Sequence, residues 1–445
     1  MNKQLLEETI ELLQKLVQNK CVNPPGNEIK NIMTISVFLK SKGIDCKIFN
    51  SSPTKGNLIA RIKGTGIGPS LMFGPSHVDV VPVEDPENWI VPPFSGEIRD
   101  DYVWGRGTFD MLFIVAAQCQ AFAQLAIEGF KPKGDLVLAI VSDEETGSML
   151  GAKWMIENHI EEMKVDYGTS EYGGFQISEG KLILSVGEKG ASWLRLSFLG
   201  ESGAASMPLG VENAAIKAAE AAVRLANYKT PVNTKYLKYM AQGMGLGFLQ
   251  KIMLTKKILL SFALKRLLKS DPSLAKAIHG FSRMTIAPTR IESGIKTNVI
   301  PMNSFVDIDV RTLPGQDFDY IKFHIKKALG KKLAKELKLE IMEEEGIMTM
   351  GNESPIDSDF VKATLKVFQK LMPGCAIVPA IAYGATDLRF IREIGGMGYG
   401  FSFYSPKTPA SELTSIAHAT NERIRIESIE LTFKAYYELA KELLG

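Results

Sequence analysis

Apolar residues recur at helical spacing near both ends of the chain. Within residues 1–18, Leu5, Leu6, Ile10, Leu13, Leu16 and Val17 mark one face of an amphipathic helix, and acidic residues interrupt the run, so it does not read as a signal peptide. The same spacing predicts a closing helix over 426–444, with further helices over 28–42, 111–128, 150–162 and 359–371. Short apolar runs at 45–49, 57–62, 71–73 and 135–141 predict strands. The last is continuously apolar, as in a strand covered on both faces of a parallel sheet. No apolar run is long and clean enough to suggest a transmembrane span.

From residue 189 the pattern changes. Alternation over 193–198 predicts a half-buried strand. A helix over 212–228, strands over 285–291 and 305–310, a helix over 320–337 and a strand over 339–342 follow. That order is βαββαβ, the split unit of a four-stranded antiparallel sheet with helices on one face. The expected fold is therefore α/β: a largely parallel mixed sheet with flanking helices, plus an inserted ferredoxin-like lid and dimerisation domain. The expected boundaries are 1–188 and 349–445 for the outer, catalytic domain and 189–348 for the insertion. Within the insertion, 236–281 is an extra helical stretch whose segment 249–268 is both apolar and basic. It reads as a packed lid or dimer helix, with a membrane-surface helix as the alternative.

Composition narrows the picture. A chain of 445 residues exceeds one ordinary core, and 45% hydrophobic with 23% charged residues suits a soluble enzyme. A net charge of +2 gives no field favouring nucleic acid. The four cysteines form no Cys-x-x-Cys pair, which suits a reducing cytoplasm. No Gly-x-Ser-x-Gly elbow and no phosphate-binding Gly-rich loop ending in Lys-Ser/Thr occurs.

Chemistry-bearing residues sit where elements end. His77 and Asp79 follow the 71–73 strand and, being two apart in extended chain, leave the backbone on one side. Gly105 and Gly107 predict a bend that places Asp110 at the start of the 111–128 helix. Asp143, Glu144 and Glu145 crowd the end of the 135–141 strand, where open α/β sheets bind ligands and a cation would offset their repulsion. Glu171 ends a later strand, and His418 comes from the last segment. Two imidazoles with several carboxylates match a two-metal hydrolytic site. Mixed nitrogen and oxygen donors favour zinc, with cobalt or manganese as substitutes.

The motifs Ser76-His-Val-Asp79, Gly105-Arg-Gly-Thr-Phe-Asp110, Asp143-Glu-Glu-Thr-Gly147, Ser170-Glu171, Thr297-Asn298, Asp309-Val-Arg311, Gly384-Ala-Thr-Asp387 and His418-Ala-Thr-Asn-Glu422 stand in one order along the chain. The sequence resembles the co-catalytic zinc exopeptidases that include aminoacylase, succinyl-diaminopimelate desuccinylase and the glutamate-releasing carboxypeptidases. The resemblance implies that Asp110 bridges two zinc ions, that His77 and Glu171 complete one site, and that Glu145 and His418 complete the other. It implies that Asp79 orients His77. Glu144 would be general base and acid, taking a proton from the attacking water and passing it to the leaving amine. Asn298 and Arg311 would hold a substrate carboxylate, and the protein would be a homodimer.

Two positions depart from the family pattern. Ala204 stands where the family usually has a histidine that stabilises the tetrahedral oxyanion, and Leu112 where it usually has lysine. His279 is a chemically suitable substitute donor. The expected function is thus a dinuclear-zinc amidohydrolase cleaving an N-acyl amino acid or short peptide. The alternative is a metal-binding homologue whose hydrolysis is lost or redirected.

Overall fold

The computed structural model describes residues 3–342 and 348–445. The chain divides into two compact units, one comprising Met1–Gly187, Glu353–Ala380 and Thr386–Gly445, the other Glu188–Asn352 and Ile381–Ala385.

The first unit is built on a mixed sheet. Its strands lie in the order Lys47–Asn50, Gly56–Ile62, Leu136–Val141, Leu71–His77, Tyr167–Ser170, Met397–Gly400, Lys181–Glu188. The four central strands, Leu136–Val141 to Met397–Gly400, run parallel, and antiparallel pairs flank them on both sides. Leu136–Val141 and Leu71–His77 are buried along their whole length, as strands covered by helices on both faces must be. One covering layer contains Lys3–Gln18, Phe113–Ile127 and Ile426–Leu444; the first contributes Leu13, Leu16 and Val17 to the core. Residues 1–2 of the expected first helix lie outside the described residues. Thr108–Ile127 is long and apolar enough to cross a membrane by length and composition, yet 78% of its most apolar window is buried inside the fold.

Two expectations shift here. The 150–162 helix is two helices, Ala152–Asn158 and Ile160–Met163, because His159 adopts φ −140° and breaks the run. Asp110 does not cap a helix: its backbone is extended (φ −118°, ψ 100°), and the regular helix starts only at Phe113.

The second unit carries an antiparallel sheet in the order Thr285–Ser293, Asn303–Thr312, Gly190–Leu199, Lys338–Ile341. Helices Ala214–Asn227 and Phe318–Glu336 supply Ala218, Leu225, Ile321 and Ile325 to its core. Chain order and strand order together are those of the βαββαβ split unit. The 236–281 stretch forms four helices, Lys235–Gly243, Phe248–Thr255, Lys257–Ser270 and Pro272–Phe281. They pack around Tyr236, Leu260, Ile278 and Phe281. Ile381–Ala385 packs here too: Ile381 joins that cluster, and Tyr383 stacks on Phe281 at 4.2 Å between ring centres.

Candidate metal centre

Three adjacent parallel strands deliver the side chains. His77 is the last residue of Leu71–His77, the Glu144–Thr146 turn follows Leu136–Val141, and Glu171 follows Tyr167–Ser170. Their carboxyl ends share one edge of the sheet, the edge where such sheets bind ligands. The strand carrying His77 enters this edge through Gly74. Any Cβ there would lie 2.1 Å from the Ala139 carbonyl oxygen, and φ is +122°, so only glycine fits.

Asp110 lies between two imidazoles. Its Oδ1 is 3.3 Å from His77 Nε2 and its Oδ2 is 3.1 Å from His418 Nε2. His418 Nε2 also lies 3.4 Å from Glu145 Oε1. One donor atom each from His77, Asp110 and Glu145 falls within 4.8 Å of the others. Glu171 is buried beside Asp110 and Glu144, whose charges act on it.

Backbone geometry explains the convergence. Gly107 (φ +87°) turns the chain, and Asp110 leaves it in an extended conformation. Glu422, fully buried, accepts hydrogen bonds from the backbone of Phe109 (2.9 Å) and Asp110 (3.1 Å). Its other oxygen takes Arg106 Nη1 at 2.7 Å. Arg106 in turn donates to the backbone oxygens of His418 and Ala419. One buried ion pair therefore ties the Asp110 segment to the His418 loop.

Asp79 has a wider task than expected. His77 Nδ1 lies 3.1 Å from the Asp79 carbonyl oxygen but 3.5 Å from its carboxylate. In the tautomer protonated at Nδ1, that carbonyl accepts the Nδ1–H hydrogen bond and the Nε2 lone pair faces the Asp110 side of the cluster. The Asp79 carboxylate instead accepts from the backbone of Glu144 (3.2 Å) and Glu145 (3.0 Å) and from Asn23 Nδ2 (2.9 Å). It fixes the turn that presents both glutamates. Asp143 turns away from the cluster, to Lys55, Thr146 and the Leu150 backbone. Of the three successive carboxylates, only Glu144 and Glu145 therefore face the centre.

The electrostatics are those of a cation site. Buried among carboxylates, His77 is held well above its ordinary pKa, because Asp110 and Asp79 outweigh the burial that disfavours its charge. His418 is pushed up to about 10 by Asp110 and Glu145. Burial raises Glu171, with Asp110 adding to it, and burial raises Glu144 well above the carboxylate range, with Glu145 and Asp387 adding to it. Glu145 Oε1 is buried without a hydrogen-bond partner. Buried polar atoms are rarely left so. A buried oxygen held 3.4 Å from an imidazole nitrogen without a well-formed hydrogen bond fits a pair of metal ligands, and the mixed donor set fits a borderline cation.

The remaining expected residues belong to the second unit. Arg311 lines a pocket of about 360 Å³ with Lys189, Lys276, Gly280 and Tyr383. Its guanidinium also grips Asp309 through Nε (2.8 Å) and Nη2 (2.9 Å). Asn298 does not line this pocket. It is exposed, and its carbonyl accepts from Ala205 N at 3.1 Å. Ala204 is exposed in a two-residue strand paired with Val299. His279 keeps much of its surface exposed on the Pro272–Phe281 helix, and partial desolvation of the ring, with Arg283 and Lys189 adding to it, lowers its pKa. Leu112 is buried in the apolar core.

Sequence reading missed the supports of this centre: Asn23, Lys55, Arg106 and Glu422. Arg106 and Glu422 lie in the quoted motifs, each near a proposed ligand, but only the fold pairs positions 316 residues apart.

Comparison with known proteins agrees with this geometry. Residues 75–442 match the model of peptidase family M20/M25/M40. The Xenopus tropicalis N-fatty-acyl-amino acid synthase/hydrolase PM20D1 is 27% identical over 380 residues, covering 82% of this chain and 70% of that protein. The Dictyostelium discoideum protein named probable carboxypeptidase S-like 2 is 29% identical over 393 residues, covering 84% and 71%. Among solved structures, an M20 family metallo-carboxypeptidase, Sso-CP2 from Sulfolobus solfataricus, superposes with a TM-score of 0.70 at 19% identity, covering 100% of this chain and 99% of that one. The chain belongs to peptidase family M20/M25/M40 and is a metal-dependent amidohydrolase of that family.

Proposed function

We propose that this chain is a dinuclear-zinc hydrolase that releases an amino acid from an N-acyl amino acid or short peptide. The observation that carries the reading is the Asp110 carboxylate, each of whose oxygens faces a different imidazole. Such a carboxylate can serve two ions at once. Asp110 would bridge, His77 and Glu171 would hold one ion, and Glu145 and His418 the other. When bound, the pair of ions supplies Lewis acidity toward the scissile carbonyl and makes water a nucleophile at neutral pH. Glu144 takes no hydrogen bond from any described side chain. Its carboxylate is free to accept a proton from the attacking water and to return it to the leaving amine.

Two surfaces support the substrate class. Phe109, Tyr172, Phe175, Tyr404 and Leu413 line a cleft of about 120 Å³ that also touches Asp110 and Glu171. It suits an apolar acyl or side-chain group, in keeping with the fatty-acyl amino acids named for the Xenopus relative. The cationic pocket around Lys189 and Arg311 suits a carboxylate.

The test is a panel of N-acyl amino acids and dipeptides assayed with metal content measured on the same sample. Zinc-loaded protein is expected to hydrolyse members with an apolar acyl group, and Glu144→Gln to lose about 10²- to 10⁴-fold while keeping its metal. No turnover across the panel by zinc-loaded protein would sink the reading. Ala204 favours the second reading, a metal-binding protein without efficient hydrolysis, because alanine has no side-chain donor. A gain of roughly 10²- to 10³-fold in Ala204→His would mark a missing oxyanion donor. Strong native activity unchanged by that substitution would retire the second reading.

A further inference from the structure

The helices Phe248–Thr255 and Lys257–Ser270 of the second unit expose an unusual surface. Phe248 (77%), Leu249, Ile258 (87%), Leu259, Phe262 (65%) and Leu268 are all solvent-exposed. Over residues 248–270 the chain carries Lys251, Lys256, Lys257, Lys265, Arg266 and Lys269, and no acidic residue. None of these six cations makes an ion pair among the described residues. The segment's charge thus exceeds the +2 of the whole chain.

Helical geometry sorts this composition. At 100° per residue, Leu260, Ala263, Leu264 and Leu267 share one side of Lys257–Ser270. That side is turned inward: Leu260 and Ala263 are buried, and Leu260, Leu264 and Leu267 pack with Tyr236, Ile278 and Phe281. Ile258, Phe262, Lys265 and Lys269 share the opposite side, with Leu259 and Arg266 at its margin. The helix therefore has an inner apolar face that holds it to the unit and an outer face of apolar and cationic residues together. Core packing explains the inner face only.

We propose that this outer face docks on an anionic phospholipid surface. Exposed Ile, Leu and Phe side chains match the acyl boundary, and interspersed lysines match the negative headgroups. Charge argues against a second copy of the chain on the same face. A two-fold contact sets the same patch against itself, and here it would oppose Lys265, Arg266 and Lys269 to their own copies with no carboxylate in the segment to pair them. Four of the six exposed apolar side chains, Leu249, Ile258, Leu259 and Leu268, are aliphatic and offer no plane for a base to stack on, which favours lipid over nucleic acid. The proposal is independent of the catalytic reading.

The test is co-sedimentation of the full chain with vesicles of phosphatidylcholine alone and with about one quarter phosphatidylglycerol, at low salt and at about 0.5 M salt. Wild type is expected to sediment with the anionic vesicles at low salt, and much less with neutral vesicles or high salt. Neutralising Lys265, Arg266 and Lys269 to glutamine is expected to weaken binding roughly 100-fold. Ile258→Glu with Phe262→Glu is expected to abolish it. Each variant should keep the wild-type thermal unfolding temperature, since the altered residues face solvent. Absence of binding to anionic vesicles, or equal binding by folded variants, overturns the proposal. So does light scattering that shows a dimer which Phe262→Glu dissociates, because the face would then be an interface between copies.

Discussion

Glu28 shows how closely the centre's supports are balanced. It is fully buried, and its Oε1 lies 3.3 Å from Lys55 Nζ, while Lys55 also serves Asp143 and Asn23. Burial, with Asp79 adding to it, raises the Glu28 pKa from 4.5 to about 7. An acid whose folded pKa is raised contributes stability that is fully present below its unfolded pKa and is lost as pH rises through the folded value. The window here is pH 4.5 to 7, and the gap corresponds to about 3 kcal/mol. Glu28→Gln keeps the shape and removes the titration. Chemical denaturation of metal-free protein at pH 5 and pH 8 should show the variant gaining on wild type as pH rises, by up to about 3 kcal/mol. A difference independent of pH would mean that Lys55 neutralises Glu28 throughout. Residue identity in the sequence offered no hint of this, because a lone Glu28 after a turn reads as surface. The fold buries it and brings Lys55 beside it.

At the scale of elements, legibility followed periodicity. The helices Asp359–Leu371 and Ile426–Leu444 start and stop where their apolar spacing does. Elements set by backbone geometry did not show in the pattern. The segment before Phe113 reads as helix because Met111 and Leu112 are apolar, yet Gly107 and the extended Asp110 divert it into the site. The strand Ala376–Ala382, interrupted by Pro379, carried no clear alternation. What holds the diverted segment is the Arg106–Glu422 pair, both side chains nearly inaccessible and 2.7 Å apart. Arg106→Ala leaves the Glu422 carboxylate buried without its cation. Breaking such a pair costs about 3–5 kcal/mol. Denaturation should report a loss of that order. Metal titration of the folded variant should show weaker binding by roughly 10- to 100-fold, as for other groups that orient ligands. A variant with wild-type metal affinity would assign the pair to stability alone.

Over the whole molecule, every expected metal ligand lies in the first unit, although the ligands span residues 77 to 418 of the chain. The second unit has its own core, centred on Leu194, Val306 and Ile325, and none of those ligands. Ligand order along the sequence could reveal the centre, because each donor ends an element; it could not reveal that Asp143 faces Lys55, which needs the fold. This division makes metal binding a local event with a readable footprint. Without a cation, Glu144, Glu145 and Glu171 crowd one another and Asp110 at the carboxyl edge of the sheet. A ligand present at 100 times its Kd stabilises the state it binds by about 2.7 kcal/mol. Hydrogen exchange with and without zinc should therefore show protection gained around residues 71–79, 108–112, 143–148 and 416–422. The strands Thr285–Ser293 and Asn303–Thr312 should exchange at nearly the same rate in both states. Equal protection across both units would mean that they unfold as one cooperative body, and no change at 108–112 would remove Asp110 from the ligand set.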